Sequence, residues 1–299
     1  MSDTHHRRRA VAPPRGILRG GRGDGAMLGD RVSPCDALAP WVHHFWVVQW
    51  DLRTPFMVET LPHPGARLTV ETRGGGPRTE IAGVRTGRLS RRLTGCGRTF
   101  GIAFRPAAFQ PLLGAPMSNL TDRGVRIRAV FGSEGEALAR RIDTALGFAE
   151  TVSLAEAFLA QRIRSLNPEA AWVRDLVERL MHDRSLLRVE DVTKAFGVGE
   201  RSLQRLFQKY VGVSPKWVIR RYRLHEAAEQ LQRPTPPALA ELAAALGYAD
   251  QAHFAREFKE VVGRTPRDFQ ALWRSARRVR GSPPGPRAHA EPGRGTPAV

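Results

Sequence analysis

From Trp41 to Phe104 the apolar residues fall in short runs rich in Val, Ile, Phe and Trp, broken by Pro and Gly. Trp41 to Trp50, Phe56 to Leu61, Ala66 to Glu71, Thr79 to Val84 and Arg98 to Phe104 each have the length and the β-branched or aromatic content of a strand. Gly74-Gly75-Gly76-Pro77 between two of these runs reads as a hairpin loop. After Arg105-Pro106 the spacing becomes helical. Pro106 to Leu113 is short, and Glu134 to Leu146 and Val152 to Leu166 are longer amphipathic candidates. Asn167-Pro168 then opens a helix, with Asn as N-cap and Pro at the first position. Trp172, Val173, Leu176, Val177 and Leu180 give it an apolar stripe, and the chain stays helical to about Trp273.

Within that helical half two stretches echo each other, Gly197 to Pro215 and Gly247 to Pro266. At an offset of 51 they pair Leu203 with Phe254, Arg205 with Arg256, Phe207 with Phe258, Gly212 with Gly263 and Pro215 with Pro266. Each reads as a positioning helix, a turn at Gly197 or Gly247, and a second helix. Val189, Val192 and Phe196 form the apolar face of the first positioning helix; Leu239, Leu242, Ala243 and Leu246 form the second. Leu203, Leu206 and Phe207 should face inward on one second helix, and Phe254, Phe258 and Val261 on the other. That leaves Arg201, Gln204, Arg205 and Gln208 outside on the first, and Gln251, Ala252, His253, Ala255 and Arg256 on or near the outside of the second. Arg and Gln are the side chains that make bidentate contacts to guanine and adenine edges in the major groove of DNA. Between the copies, Ser214 to Leu231 lacks a breaker and should form a rod of about 25 Å at 1.5 Å per residue. Such a rod suits the ~34 Å spacing of successive major grooves. Arg220, Arg221 and Arg223 on it are candidates for phosphate contacts, for helix salt bridges, or for both. Glu200, Glu226 and Glu257 are expected to be solvated.

Charge modifies this picture less than its total implies. The net charge of +18 favours nucleic acid or an anionic membrane surface. Yet residues 1–28 hold six Arg against two Asp, and the segment after Trp273 holds six Arg against one Glu. Residues 171–273 carry 17 basic and 13 acidic residues, so geometry rather than bulk charge makes the case for DNA there. Two cysteines, Cys35 and Cys96, are too few for a disulfide scaffold, and no run reaches the roughly 18 apolar residues of a spanning helix. A cytoplasmic protein without a membrane partner is the expectation. At 299 residues two domains are expected, with residues 1–34 and 277–299 as disordered Arg-, Gly- and Pro-rich tails, 35–165 as a β-rich domain and 168–276 as the helical one. Met27 is an alternative translation start.

The helical half resembles the DNA-binding domain of the AraC/XylS family of bacterial transcription regulators over Trp172 to Trp273. The likeness rests on the paired units, on Arg223-Leu224 with Ala227, and on Gly247-Tyr248 through His253-Phe254, Arg256, Phe258-Lys259, Gly263 and Thr265-Pro266. Gly199 departs from it, standing where a capping Ser is usual. The resemblance implies reading of two adjacent major grooves, commonly to recruit RNA polymerase. By it Arg201, Gln204, Arg205, Gln251, His253 and Arg256 occupy base-facing positions, with Gln208 and Lys259 as further DNA-binding candidates. Leu38 to about Arg128 more loosely resembles the β-rich sensor halves of the family, through Gly101, Phe104-Arg105-Pro106 and Phe109. That implies effector sensing or homodimerisation without naming an effector.

The expected fold is therefore α+β in two domains: a β-rich barrel- or sandwich-like domain with helices, then an all-α, homeodomain-like double helix-turn-helix. The expected function is sequence-specific DNA-binding transcription regulation, with activation as the outcome and no catalytic residues, metal or cofactor. The alternative is an enzyme with a cupin-like N-terminal domain fused to a DNA-binding domain. His43, His44 and His63 raise a metal site, but adjacent residues of a strand point to opposite faces, so His43 and His44 should not share an ion. Trp41, Phe45, Trp46 and Trp50 read as aromatic core, with a ligand pocket as the second reading.

Overall fold

The computed structural model describes residues 17–19 and 25–281, with side chains from residue 25 to residue 275. Strands β1 (Ile17–Arg19), β2 (Gly25–Val32), β3 (Val42–Thr60), β4 (Arg67–Thr72), β5 (Arg78–Ala82), β6 (Leu89–Phe104) and β7 (Gly124–Val125) form, among the described residues, one antiparallel sheet in the order β1-β3-β6-β4-β5-β7, with β2 also on β3. Residues 25–32 of the expected tail are strand: β2 pairs with β3 from Gly25 opposite Leu52 to Val32 opposite Phe45. The rest of the expected N-terminal tail, apart from β1, and residues 282–299 lie outside the described residues. The two expected strands from Trp41 to Leu61 are one, because the Pro55 break is absorbed as a register shift between Leu52 and Phe56. β4 and β5 join through Gly74, Gly75 and Gly76, all at positive φ, as the hairpin reading requires.

The two faces of the sheet differ. Phe45, Leu68, Val70, Ile81, Phe100 and Ile102 point to one side and pack on helices α2 (Arg128–Thr144) and α3 (Phe148–Ala160), which follow the short α1 (Gln110–Leu113). Helix α2 begins before the expected Glu134 because Gly132, at φ 58 and ψ −149, joins two helical pieces across a kink. It also stops short of Leu146, which is 99% exposed. The other face carries Trp46, Val48 and Trp50 of β3 and borders a cavity of about 1430 Å³. Trp41 and Phe45 belong to the main core, as the first reading expects, and Trp50 to a smaller cluster with Leu52 and Leu93, while Trp46 and Trp50 also border the cavity.

His43 and His44 do not point to opposite faces. The register slips by one residue between Val42, opposite Phe104, and His44, opposite Ala103, and this bulge brings the two rings together with Nδ1 atoms 2.7 Å apart. Burial, then the charge of Arg31, pulls the His44 pKa from 6.5 down to about 3. A folded-state pKa below the unfolded one means that the unfolded chain binds the extra proton first. Stability from His44 should therefore be complete above pH 6.5 and fall away as the pH drops toward 3. Urea titrations at pH 7 and pH 5 should show a smaller loss for His44→Gln than for the unchanged chain, and equal losses would refute this linkage.

The helical half comprises α4 (Pro168–His182), α5 (Val189–Phe196), α6 (Glu200–Tyr210), α7 (Pro215–Leu231), α8 (Leu239–Ala245), α9 (Gln251–Val262) and α10 (Pro266–Gly281). Asn167 caps α4 by accepting from the Ala170 N–H at 2.7 Å, and α7 is the unbroken 17-residue rod. Two cores hold it. One joins α4, α5, α6 and the start of α7; the other joins the rest of α7 with α8, α9 and α10. Among the described residues no helix is long and apolar enough to cross a membrane.

Candidate nucleic-acid interface

Each unit turns at a glycine in the left-handed region, Gly197 at φ 60 and Gly247 at φ 72, where a side chain would be strained. Behind the turns, Leu203 and Phe207 of α6 and Phe254 and Phe258 of α9 are fully buried. Helical periodicity then leaves Arg201, Gln204 and Arg205 exposed on α6, with Gln208 half-buried. On α9 it leaves Gln251, His253, Arg256 and Lys259 exposed. Among the described residues the side chains of Arg201, Gln204, Arg205, Gln251, Arg256 and Lys259 hold no hydrogen bond or ion pair, so their donors face water. His253 Nε2 stands 3.9 Å from Glu257 Oε2. The two N-termini differ as the sequence implies. Asp250 caps α9, accepting from the His253 N–H at 2.7 Å, while Gly199 gives α6 no side-chain cap.

The linking rod requires corrections. Arg221 is 2% exposed and cannot reach an external phosphate; its guanidinium donates to the Thr86 carbonyl of the β-rich half and lies over the Trp217 ring at 4.4 Å. Burial lowers its pKa to about 10. Arg223 donates to the Leu187 carbonyl and sits 5.7 Å from the Tyr248 ring centre. Arg220 is the salt-bridge former, donating from Nε to Glu257 Oε1 at 3.0 Å. Glu257 is accordingly 7% exposed rather than solvated, and it also accepts from the Tyr248 hydroxyl at 3.1 Å. Glu226 is paired with Arg184. The arginines of the rod thus brace the two units against each other and against the sheet.

Sequence reasoning missed how the β-rich half holds the far ends of both outer helices. Past the end of α6, the Gly212 carbonyl accepts from Thr121 Oγ1 at 2.6 Å. Past the end of α9, Arg264 pairs with Glu59 of β3 at 2.6 Å, and Arg88 reaches the Val262 carbonyl at 3.4 Å. Leu61, from the end of β3, is 1% exposed inside the core of the second unit. No local sequence pattern signals these contacts, since Glu59 and Arg264 are 205 positions apart.

Comparison with known proteins agrees with this geometry. A helix-turn-helix domain family matches residues 192–271, and a family described as a domain of unknown function matches residues 30–126. The probable transcription factor PqrA of Proteus vulgaris is 31% identical over 84 residues, covering 28% of this chain and 68% of that protein. The Msm operon regulatory protein of Streptococcus mutans is 26% identical over 120 residues, covering 40% of this chain and 43% of that one. A probable AraC family transcriptional regulator from Rhodopseudomonas palustris, solved as a crystal structure, is 26% identical with a TM-score of 0.30, covering 35% of this chain and 95% of that chain. The chain spans less than half the length of the Streptococcus mutans regulator, and 35% of the putative regulator YkgA of Escherichia coli. Taken with the paired units, the match over two thirds of PqrA places the chain in the AraC family of transcriptional regulators.

Proposed function

We propose that the chain regulates transcription by binding DNA sequence-specifically, with α6 and α9 entering adjacent major grooves. One observation supports this above the others: two matched helices present unpaired Arg, Gln and Lys side chains outward from buried aromatic cores. In this reading Arg201, Gln204, Arg205 and Gln208 read one groove and Gln251, His253, Arg256 and Lys259 the next. Phosphate contacts come from the helix N-termini and exposed cations, and they set register rather than sequence. Arg220 and Arg223 contribute by fixing the angle of the rod. Activation through RNA polymerase belongs to the same proposal, as does assembly as a homodimer.

Arg205→Ala and Arg256→Ala should each weaken binding to a cognate site about tenfold to a hundredfold and relax the base preference at one position. Electrophoretic shift across a panel of base variants at fixed salt measures both effects, the site coming from genome-wide mapping of bound DNA. An unchanged base profile in both variants would remove α6 and α9 as reading elements.

The cavity on the open face of the sheet supports a second part of the reading, that the β-rich half senses a small-molecule effector. Its lining runs from the sheet to Tyr222 on the rod, so an occupant would touch both halves of the chain. An effector would accordingly change DNA affinity and not only melting temperature.

A further inference from the structure

The lining of the cavity states what kind of molecule fits it. Strand register sets side chains in rows: His44 of β3, Ala103 of β6 and Arg67 of β4 lie side by side, and Trp46, Gly101 and Thr69 form the next row. β2 extends that second row by placing Arg31 opposite Trp46. A Cβ on Gly101 would stand 2.0 Å from Trp46 Cε2, and one on Gly97 would stand 2.4 Å from Trp50 Cζ2. The two indoles therefore lie against the backbone of β6, which only glycine permits, and they give the cavity an apolar floor.

The charges around that floor are unbalanced. Each carboxylate of the lining is already committed: Glu71 to Arg73 and Arg91, Glu80 to Arg85, Glu136 to Arg128 and Glu178 to Arg105. Arg31 and Arg67, by contrast, make no side-chain hydrogen bond or ion pair among the described residues. Both residues are half-buried, and burial pulls their pKa values down, that of Arg31 to about 10, with Glu80 opposing the shift of Arg67. Arg31 and Arg67 stand on either side of His44 in the register, and burial, then the charge of Arg31, keeps the His44 ring neutral. β2 and β4 stand on either side of β3 and β6, so about 14 Å separates their backbones at ~4.8 Å per strand. Two arginine side chains reaching inward can close on one acidic group across that span.

We propose that this cavity takes an organic anion, a carboxylate on a flat apolar body, with its charge at the His44 end between Arg31 and Arg67 and its body on Trp46 and Trp50. The proposal deepens the sensing reading and rests on it. A polyol would ask for carboxylates or side-chain amides free to accept, yet the lining has no Asn or Gln and its carboxylates are taken. A cationic ligand would meet the charge of Arg31, which no carboxylate offsets, and that of Arg67, which Glu80 offsets only in part. An acceptor-only head group on an apolar body complements both the donors and the floor.

The test uses the full chain and isothermal titration calorimetry with two matched sets sharing one body each: benzoate, benzamide and benzylammonium, and 1-naphthoate, 1-naphthamide and 1-naphthylmethylammonium. In at least one set the carboxylate should bind about tenfold or more tightly than its amide, with the ammonium weakest. Arg31→Gln and Arg67→Gln should each bring the carboxylate near its amide while leaving amide affinity and cooperative melting in place. An amide that binds as tightly as its carboxylate in both sets, or a preference that survives both variants, overturns the anion class and leaves the sensing reading standing. Absence of binding by every member overturns the class and the sensing reading together. DNA binding, measured separately, is untouched by either outcome.

Discussion

Phe258→Ala is expected to lower the stability of the second helix-turn-helix unit by about 3–5 kcal/mol, the usual cost of removing a fully buried phenyl ring. Phe258 is 0% exposed and lies at the centre of an aromatic chain, 5.7 Å from the Phe254 ring and 5.5 Å from that of Phe269. Those neighbours sit on the same helix and on α10, so the space it leaves cannot be filled by a small shift of one side chain. The variant should lose the second reading head before the rest of the chain unfolds, since the first unit has a core of its own around Phe207. Urea unfolding should become two-step, and affinity for a full site should fall to that of a half site. Arg256→Ala, two residues away on the exposed face, should change stability by less than about 0.5 kcal/mol. A Phe258→Ala protein that melts like its parent would show that the second unit is not held by this aromatic chain.

The contrast between Phe258 and Arg256 also explains which parts of the molecule were legible in sequence. The paired units could be read because each fact about them is local: a 3.6-residue apolar period, a glycine turn and a capping Ser or Asp a few positions apart. The rod from Ser214 to Leu231 followed from the same logic, and its N-cap is seen in the Ser214 oxygen accepting from the Trp217 N–H at 3.2 Å. The sheet was legible only as strands. Val42 to Trp50 is apolar on both faces, so alternation does not say which face is core and which lines a cavity, and a one-residue bulge at His43 reverses parity without leaving a signal. Burial of charged groups was the other blind point. Arg221 and Glu257 look like surface residues on a helical wheel, and each is buried by partners off its own helix: Arg221 by the loop carrying Thr86, Glu257 by Arg220 of the rod and by Tyr248 just before α9. Sequence period places a residue on a face, but only tertiary packing decides whether water reaches it.

Glu59→Ala is expected to cost about 2–4 kcal/mol and to free the second reading head from the sheet. The Glu59 side chain is 10% exposed and accepts from Arg264 at 2.6 Å, with Arg88 Nε at 3.7 Å. Removing one partner of a buried pair costs more than the pair contributes, because the remaining charge stays desolvated. Here the cost is moderated because Arg264 and Arg88 retain 24% and 40% exposure and can recover part of their hydration. Glu59→Gln, which keeps an accepting oxygen but no charge, should fall between Glu59→Ala and the parent chain. Both replacements leave α9 and its outer residues intact, so base preference should persist. What should change is the coupling: Leu61 follows Glu59 by two positions and is buried in the second unit, and together they connect a strand that lines the cavity to the turn after α9. In Glu59→Ala, therefore, whatever occupies the cavity should alter DNA affinity less than it does in the parent, while its own binding to the protein stays the same. Parallel titrations of ligand with and without DNA measure the coupling as one ratio. A ratio equal to that of the parent would place the connection elsewhere, in the contact of Arg221 with Thr86 or in that of Tyr222 and His225 with Pro62 and His63.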